Sequence, residues 1–128
     1  MILSLLILAL MSQFPFATAS PTDVGIYADG LYDLSDQFLG LGLCLSMIGL
    51  ILLNIFNFNK RKLQLKINMA AFLLGLSLEA LVLYTIFSTQ AVLAFAAVLP
   101  AVAILFLFLA NKGIQKDEKL IKDSDRLR

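Results

Sequence analysis

The ten Lys and Arg residues of this chain fall in two short stretches, Lys60 to Lys66 and Lys112 to Arg128, each behind an apolar run of about 20 residues. A run of that length, at about 1.5 Å of rise per residue, is what a helix needs to cross a hydrocarbon core of roughly 30 Å. Cytoplasmic loops collect Lys and Arg, so both basic stretches are expected on one side of a membrane. Asp23, Asp29, Asp33 and Asp36 lie between Ser20 and Asp36 without a single Lys or Arg, and that segment is expected on the other side. The charge pattern thus specifies a membrane protein and its orientation together.

Composition agrees. With 128 residues, 60% of them hydrophobic and 15% charged, a soluble fold would need a core larger than a chain of this size can cover with polar surface. The net charge of +1 conceals the separation of Asp from Lys and Arg, and no basic face suited to nucleic acid results. There is no His, and the single Cys44 sits inside an apolar run. No disulfide, metal site, redox pair or cofactor is therefore expected.

Four apolar segments are legible, at about 1–19, 38–58, 67–87 and 91–110. The last three are clear spans, whereas Ser12, Gln13 and Pro15 interrupt the first. Ser88 to Gln90 is uncharged and short enough only for a tight hairpin, which belongs outside. The prediction is an all-α fold in which residues 1–110 form a transmembrane four-helix bundle and 111–128 a charged, helical cytoplasmic tail, with both termini cytoplasmic. Tyr27, Tyr32 and Tyr84 then fall at the outer headgroup level. The first segment has a rival reading as a signal peptide cleaved after Ala17-Thr18-Ala19, but Met1 to Phe16 lacks the basic lead such a peptide carries.

Glu79 is the one ionisable carboxylate inside a predicted span, 12 residues from one end of the third segment and 8 from the other. A charged residue at that depth costs about 2.5–3.5 kcal/mol on insertion scales, so it is expected to face other helices. At similar depth lie Ser46 in the second segment and Pro100 in the fourth. Pro100 has no N–H for the carbonyl of Ala96 and is expected to kink its helix there. A protonated Glu79 could then donate to Ala96 C=O or to Ser46 as an interhelical tie. The functional alternative is a proton-carrying carboxylate. Gly42, Ser46 and Gly49 form a small-residue stripe on the second helix, and Asn68, Ala71, Gly75 and Glu79 one on the third. Both are expected to pack inside the bundle, with docking of a partner helix as the other use. Asn54 and Asn57 lie close enough to the inner boundary to meet water.

The tail holds six basic and four acidic residues, with Glu118 and Lys122 spaced for a helical ion pair. Lys116, Lys119, Lys122, Arg126 and Arg128 are expected either at anionic headgroups or on a docking partner. Its sequence, with Lys116-Asp-Glu-Lys-Leu120 and Asp125-Arg-Leu-Arg128 as landmarks, strongly resembles the ending of a bacterial membrane family known as domain of unknown function 4293. Leu99-Pro100 and the basic turn Asn59-Lys-Arg-Lys-Leu-Gln64 fit the same pattern. The resemblance implies a small four-span protein of the bacterial inner membrane that retains its first helix, and it brings no activity. Members open with a short polar and basic lead, while this sequence begins in the apolar run, which implies a late start or a shortened first helix.

No nucleophile, metal set or acid–base pair is present, so an enzyme is not expected. The Asp residues of the outer segment stand in turn contexts without a basic partner. The first functional expectation is a non-catalytic accessory or scaffold subunit of a membrane complex, with a membrane-protein partner or a second copy of itself. The alternative is a small proton-coupled transporter using Glu79, although small multidrug exporters, similar in length and span count, carry their membrane carboxylate in the first helix.

Overall fold

The computed structural model describes residues 1–19 and 29–128, so the expectations for Asp23 and Tyr27 lie outside the described residues. It is an all-α bundle of four helices: α1 (Ile2–Met11), α2 (Phe38–Phe56), α3 (Arg61–Thr89) and α4 (Leu99–Arg126). α2, α3 and α4 are long and apolar enough to cross a membrane. α3 is the shared wall, packing α2 on one side and α4 on the other, while α1 lies chiefly along α4.

The seam between α2 and α3 follows a spacing of alternating three and four residues. On α2 the buried side is Gly40, Cys44, Met47, Ile51 and Asn54, and on α3 it is Asn68, Ala71, Gly75, Leu78, Val82 and Thr85. That repeat keeps one stripe on a neighbour over several turns. The register is antiparallel, with Gly40 against Leu81, Met47 against Gly75 and Asn54 against Asn68. A hydrogen bond of 2.9 Å from Gln37 Nε2 to Thr85 Oγ1 fixes the far end.

The first and fourth segments differ from expectation. α4 begins at Leu99 rather than at 91, so Pro100 stands in its first turn and kinks nothing. A missing N–H is harmless there because the first amides of a helix have no acceptor in it, and the fixed φ suits the start. Residues 91–98 instead form a short strand, β3 (Val92–Leu93), and a 3-10 turn (Phe95–Val98). α3 stops when Gln90 takes a left-handed φ of 53°, allowing Ala91 N–H to reach Ile86 O at 3.2 Å. α1 likewise ends at Met11, after 10 residues or about 15 Å, where Ser12 and Gln13 turn the chain. Beyond Pro15 the chain is extended, as β1 (Ala17–Thr18).

β1 lies between β2 (Leu31–Tyr32) and β3, antiparallel to both, with Ala17 opposite Tyr32 and Leu93. Phe16 N–H donates to Tyr32 O at 2.9 Å, and Ala94 N–H to Phe16 O at 3.0 Å. Phe16 is fully buried with its ring edge-on to Tyr32, the centroids 6.4 Å apart. The small sheet therefore completes the loop end of the bundle above the short α1 and the late start of α4. Its internal hydrogen bonds are what irregular backbone needs wherever water is scarce.

The outside of the bundle also carries many apolar side chains. Leu45, Leu52, Leu53, Leu73, Leu76, Leu105 and Phe108 are all exposed. Exposed apolar surface on this scale suits a lipid environment and not water.

Candidate functional site

Glu79 stands on α3 at the level where α4 begins. The backbone N–H of Ala101, in the first turn of α4, lies close to the Glu79 carboxyl and interacts with it electrostatically. No side chain of the preceding residues caps α4, and the Glu79 carboxyl on α3 is placed beside its first turn, where a carboxylate is favourable. The second carboxyl oxygen, Oε2, is buried and has no hydrogen-bond partner among the described residues.

The two partners expected for Glu79 lie elsewhere. Ser46 is exposed on the outer side of α2, and its hydroxyl donates to Gly42 O at 2.7 Å. Ala96 is buried in the 3-10 turn, where its carbonyl accepts the N–H of Leu99. The carbonyl expected to be freed by Pro100 is thus already bonded, because Pro100 starts the helix instead of interrupting it. Glu79→Gln keeps an acceptor for Ala101 and is expected to leave thermal stability nearly unchanged. Glu79→Leu removes it and is expected to cost about 1 kcal/mol, the usual value of a helix cap. Equal losses in detergent unfolding would rule out the capping role.

The small-residue stripes divide. Gly75 is buried where three helices cross, and a Cβ there would lie 2.8 Å from Ile104 Cγ1 and 2.9 Å from Met47 Cε. Gly42 and Gly49 do not pack in the bundle: a Cβ on either would meet nothing within 4 Å. The internal face of α2 is rotated from the expected one and uses Gly40 in their place, against Leu34 and Leu81.

Nearer the basic end Asn54 does not meet water as expected, because it turns into the seam between α2 and α3 and joins a buried polar connection. Asn54, fully buried on α2, donates through Nδ2 to Asn68 Oδ1 on α3 at 3.4 Å, and Asn68 Nδ2 donates to Leu107 O on α4 at 2.9 Å. Gln64 Nε2 reaches Asn54 O at 3.4 Å. One amide side chain thereby ties three helices. Asn54 was legible only through its place in the repeat from Gly40 to Ile51. Next to it, Asn68, Phe72, Phe108 and Asn111 border a pocket of about 140 Å³.

At the basic end, Arg61 and Asp117 approach to 3.6 Å and join the turn between α2 and α3 to the tail of α4. The tail is helical to Arg126, and Glu118 pairs with Lys122 at 3.1 Å as its spacing predicted. Lys116, Lys119, Lys122, Arg126 and Arg128 are all exposed, and Lys112 sits over the Phe108 ring, 4.7 Å from its centre. At the loop end, burial and then the charges of Asp36 and Asp29 hold the Asp33 carboxyl above the ordinary carboxylate range. Asp36 Oδ2 accepts Asp33 N–H at 3.3 Å and Asp29 Oδ1 accepts Leu31 N–H at 3.1 Å, so these carboxylates serve turns. Among the described residues no three of His, Cys, Asp and Glu are grouped to hold a metal ion.

Residues 1–127 match the model of a family described as Domain of unknown function (DUF4293). No curated protein and no solved structure matches the chain.

Proposed function

The chain belongs to the DUF4293 family, and we propose that it is a non-catalytic, four-span protein of the bacterial inner membrane, an accessory or scaffold subunit that docks another membrane helix on the outer face of α2. The outward position of Gly42, Ser46 and Gly49 carries this reading. A Gly inside a helix costs about 1 kcal/mol relative to Ala, and at positions 42 and 49 no neighbour in the bundle gains from it. Between helices in lipid, small residues allow backbones to approach closely, and dispersion and weak hydrogen bonds then hold the pair. A second helix is the occupant such a face suits.

The orientation rests on the same end of the bundle bearing both basic stretches, which Arg61 and Asp117 link. Under the positive-inside rule that end is cytoplasmic. The transporter reading has less support. Glu79 has no other Asp, Glu, Lys or Arg with it in 38–58, 67–87 or 91–110 to relay a proton.

The test is a photo-crosslinker at position 46, with and without Gly42→Leu and Gly49→Leu, followed by mass spectrometry of the adducts in native membranes. A single protein partner, or the chain itself, is expected to be captured and then lost at least tenfold in the Leu variants, while bundle stability holds. Capture of lipid alone would overturn the proposal. Cysteines at Ser88 and Ser124, both exposed, report sidedness in a Cys44→Ala background: only position 88 is expected to label from outside.

A further inference from the structure

A cleft of about 430 Å³ opens at the basic end between the start of α1, the turn before α3 and the final stretch of α4. Its walls combine Phe58, Ala110 and Ile114 with Arg61, Gln64 and Asp117. We propose that this cleft is a binding site for the headgroup of an anionic phospholipid, with the phosphate on Arg61 and the glycerol backbone against the apolar wall. The inference rests on the membrane reading above, which puts the basic end at headgroup level.

Three observations converge on it. The first is charge: residues 60–66 and 112–119 bring seven basic side chains against two acidic ones to this end. Juxtamembrane basic clusters of this kind attract anionic lipid, and a pocket among them converts diffuse attraction into a defined site. The second is chemistry. Arg61 is held by Asp117 at 3.6 Å, with both side chains partly exposed, so its guanidinium is only loosely engaged. A phosphate offers the same fork two oxygens at closer range. The exchange releases Asp117 to water.

The third is Gly113. It lies in the middle of the continuous helix α4 and borders the cleft. A Cβ there would meet nothing within 4 Å, and its φ is not in the left-handed region, so neither packing nor backbone conformation in the protein calls for Gly. Mid-helix Gly costs about 1 kcal/mol relative to Ala. What the missing side chain preserves is room in the cleft.

The experiment is native mass spectrometry of the full chain in mild detergent, titrated with phosphatidylglycerol and, separately, phosphatidylcholine. One phosphatidylglycerol per chain is expected to survive at collision energies that strip phosphatidylcholine. Arg61→Gln is expected to weaken that adduct at least tenfold, and Gly113→Leu similarly, although it removes no charge and leaves unfolding unchanged or raised. Asp117→Asn is expected to strengthen it several-fold, and Lys116→Gln, on the exposed tail, to change it less than twofold. Equal losses in Arg61→Gln and Lys116→Gln would overturn the site in favour of a diffuse basic surface. Displacement of the lipid by millimolar inorganic phosphate would assign the cleft to a free anion and overturn the lipid proposal. Release of the chain from membranes by alkaline carbonate would instead remove the membrane reading itself.

Discussion

Gly75→Leu is expected to destabilise the bundle by about 3 kcal/mol, the upper part of the range for overpacked cores, while Gly42→Leu and Gly49→Leu leave it unchanged or slightly more stable. The difference follows from what each new side chain meets. At position 75 even the first added carbon would lie within 3 Å of Ile104 Cγ1 and Met47 Cε, from α4 and α2. Met47 can swing its terminal methyl aside, but the Ile104 carbon is close to its own backbone and χ1 of Ile in a helix is stiff. A leucine therefore separates α3 from two neighbours at once and loosens every contact of the seam. At 42 and 49 the added carbons enter open space, and leaving Gly for Leu gains helix propensity. Gly75→Ala should fall between, since its gain of about 1 kcal/mol in propensity offsets part of the collision. Titration of the folded fraction with SDS, read by circular dichroism and by the mobility of the intact bundle, ranks the four variants. A Gly75→Leu protein as stable as Gly42→Leu would mean that the three helices do not cross at Gly75.

The same comparison marks what the sequence could convey. The apolar lengths and the two basic stretches were enough to locate α2, most of α3 and the tail, because spans and flanking charge are properties of composition along the chain. The break at Ser12, Gln13 and Pro15 was visible too, though not that α1 would stop at Met11 and pass into a strand. Pro100 was misread for a specific reason. A proline in an apolar run reads as a kink or as a first turn depending on whether the residues before it are helical, and Val92 and Leu93 are committed to the sheet only by pairing with distant Thr18 and Ala17. The rotation of α2 was hidden differently. Gly42, Ser46 and Gly49 make a more obvious stripe than Gly40, Cys44 and Met47, yet α3 selects the second, since Gly40 accepts Leu81 and Met47 fits over Gly75. Small residues on a membrane helix advertise close approach without saying which neighbour approaches. Glu79 stands out by its charge, while the amide beside it, that of Ala101, is placed there only because α4 starts where it does.

Asn68→Leu tests the other link that composition concealed, and it is expected to cost about 2 kcal/mol. The change removes the 3.4 Å bond from Asn54 and the 2.9 Å bond to Leu107 O together. Side-chain hydrogen bonds between membrane helices average about 0.6 kcal/mol and reach about 1.7 at most, so two of them set the scale. The remainder comes from Asn54, whose Oδ1 already has no partner and whose Nδ2 would lose its own while staying buried. An unmet amide in an apolar surrounding is worse than a leucine of similar volume. Adding Asn54→Leu to Asn68→Leu should accordingly restore about 1 kcal/mol, so that the double variant loses less than the sum of its parts. The cycle is measured by the same SDS titration on the four proteins. Additivity within about 0.5 kcal/mol, the spread seen for independent sites, would mean that Asn54 and Asn68 do not share a hydrogen bond. Coupling of the expected sign would make Asn68 the residue that holds α2 and α4 to α3 on the basic half of the bundle, as Gly75 does by close packing one heptad further along.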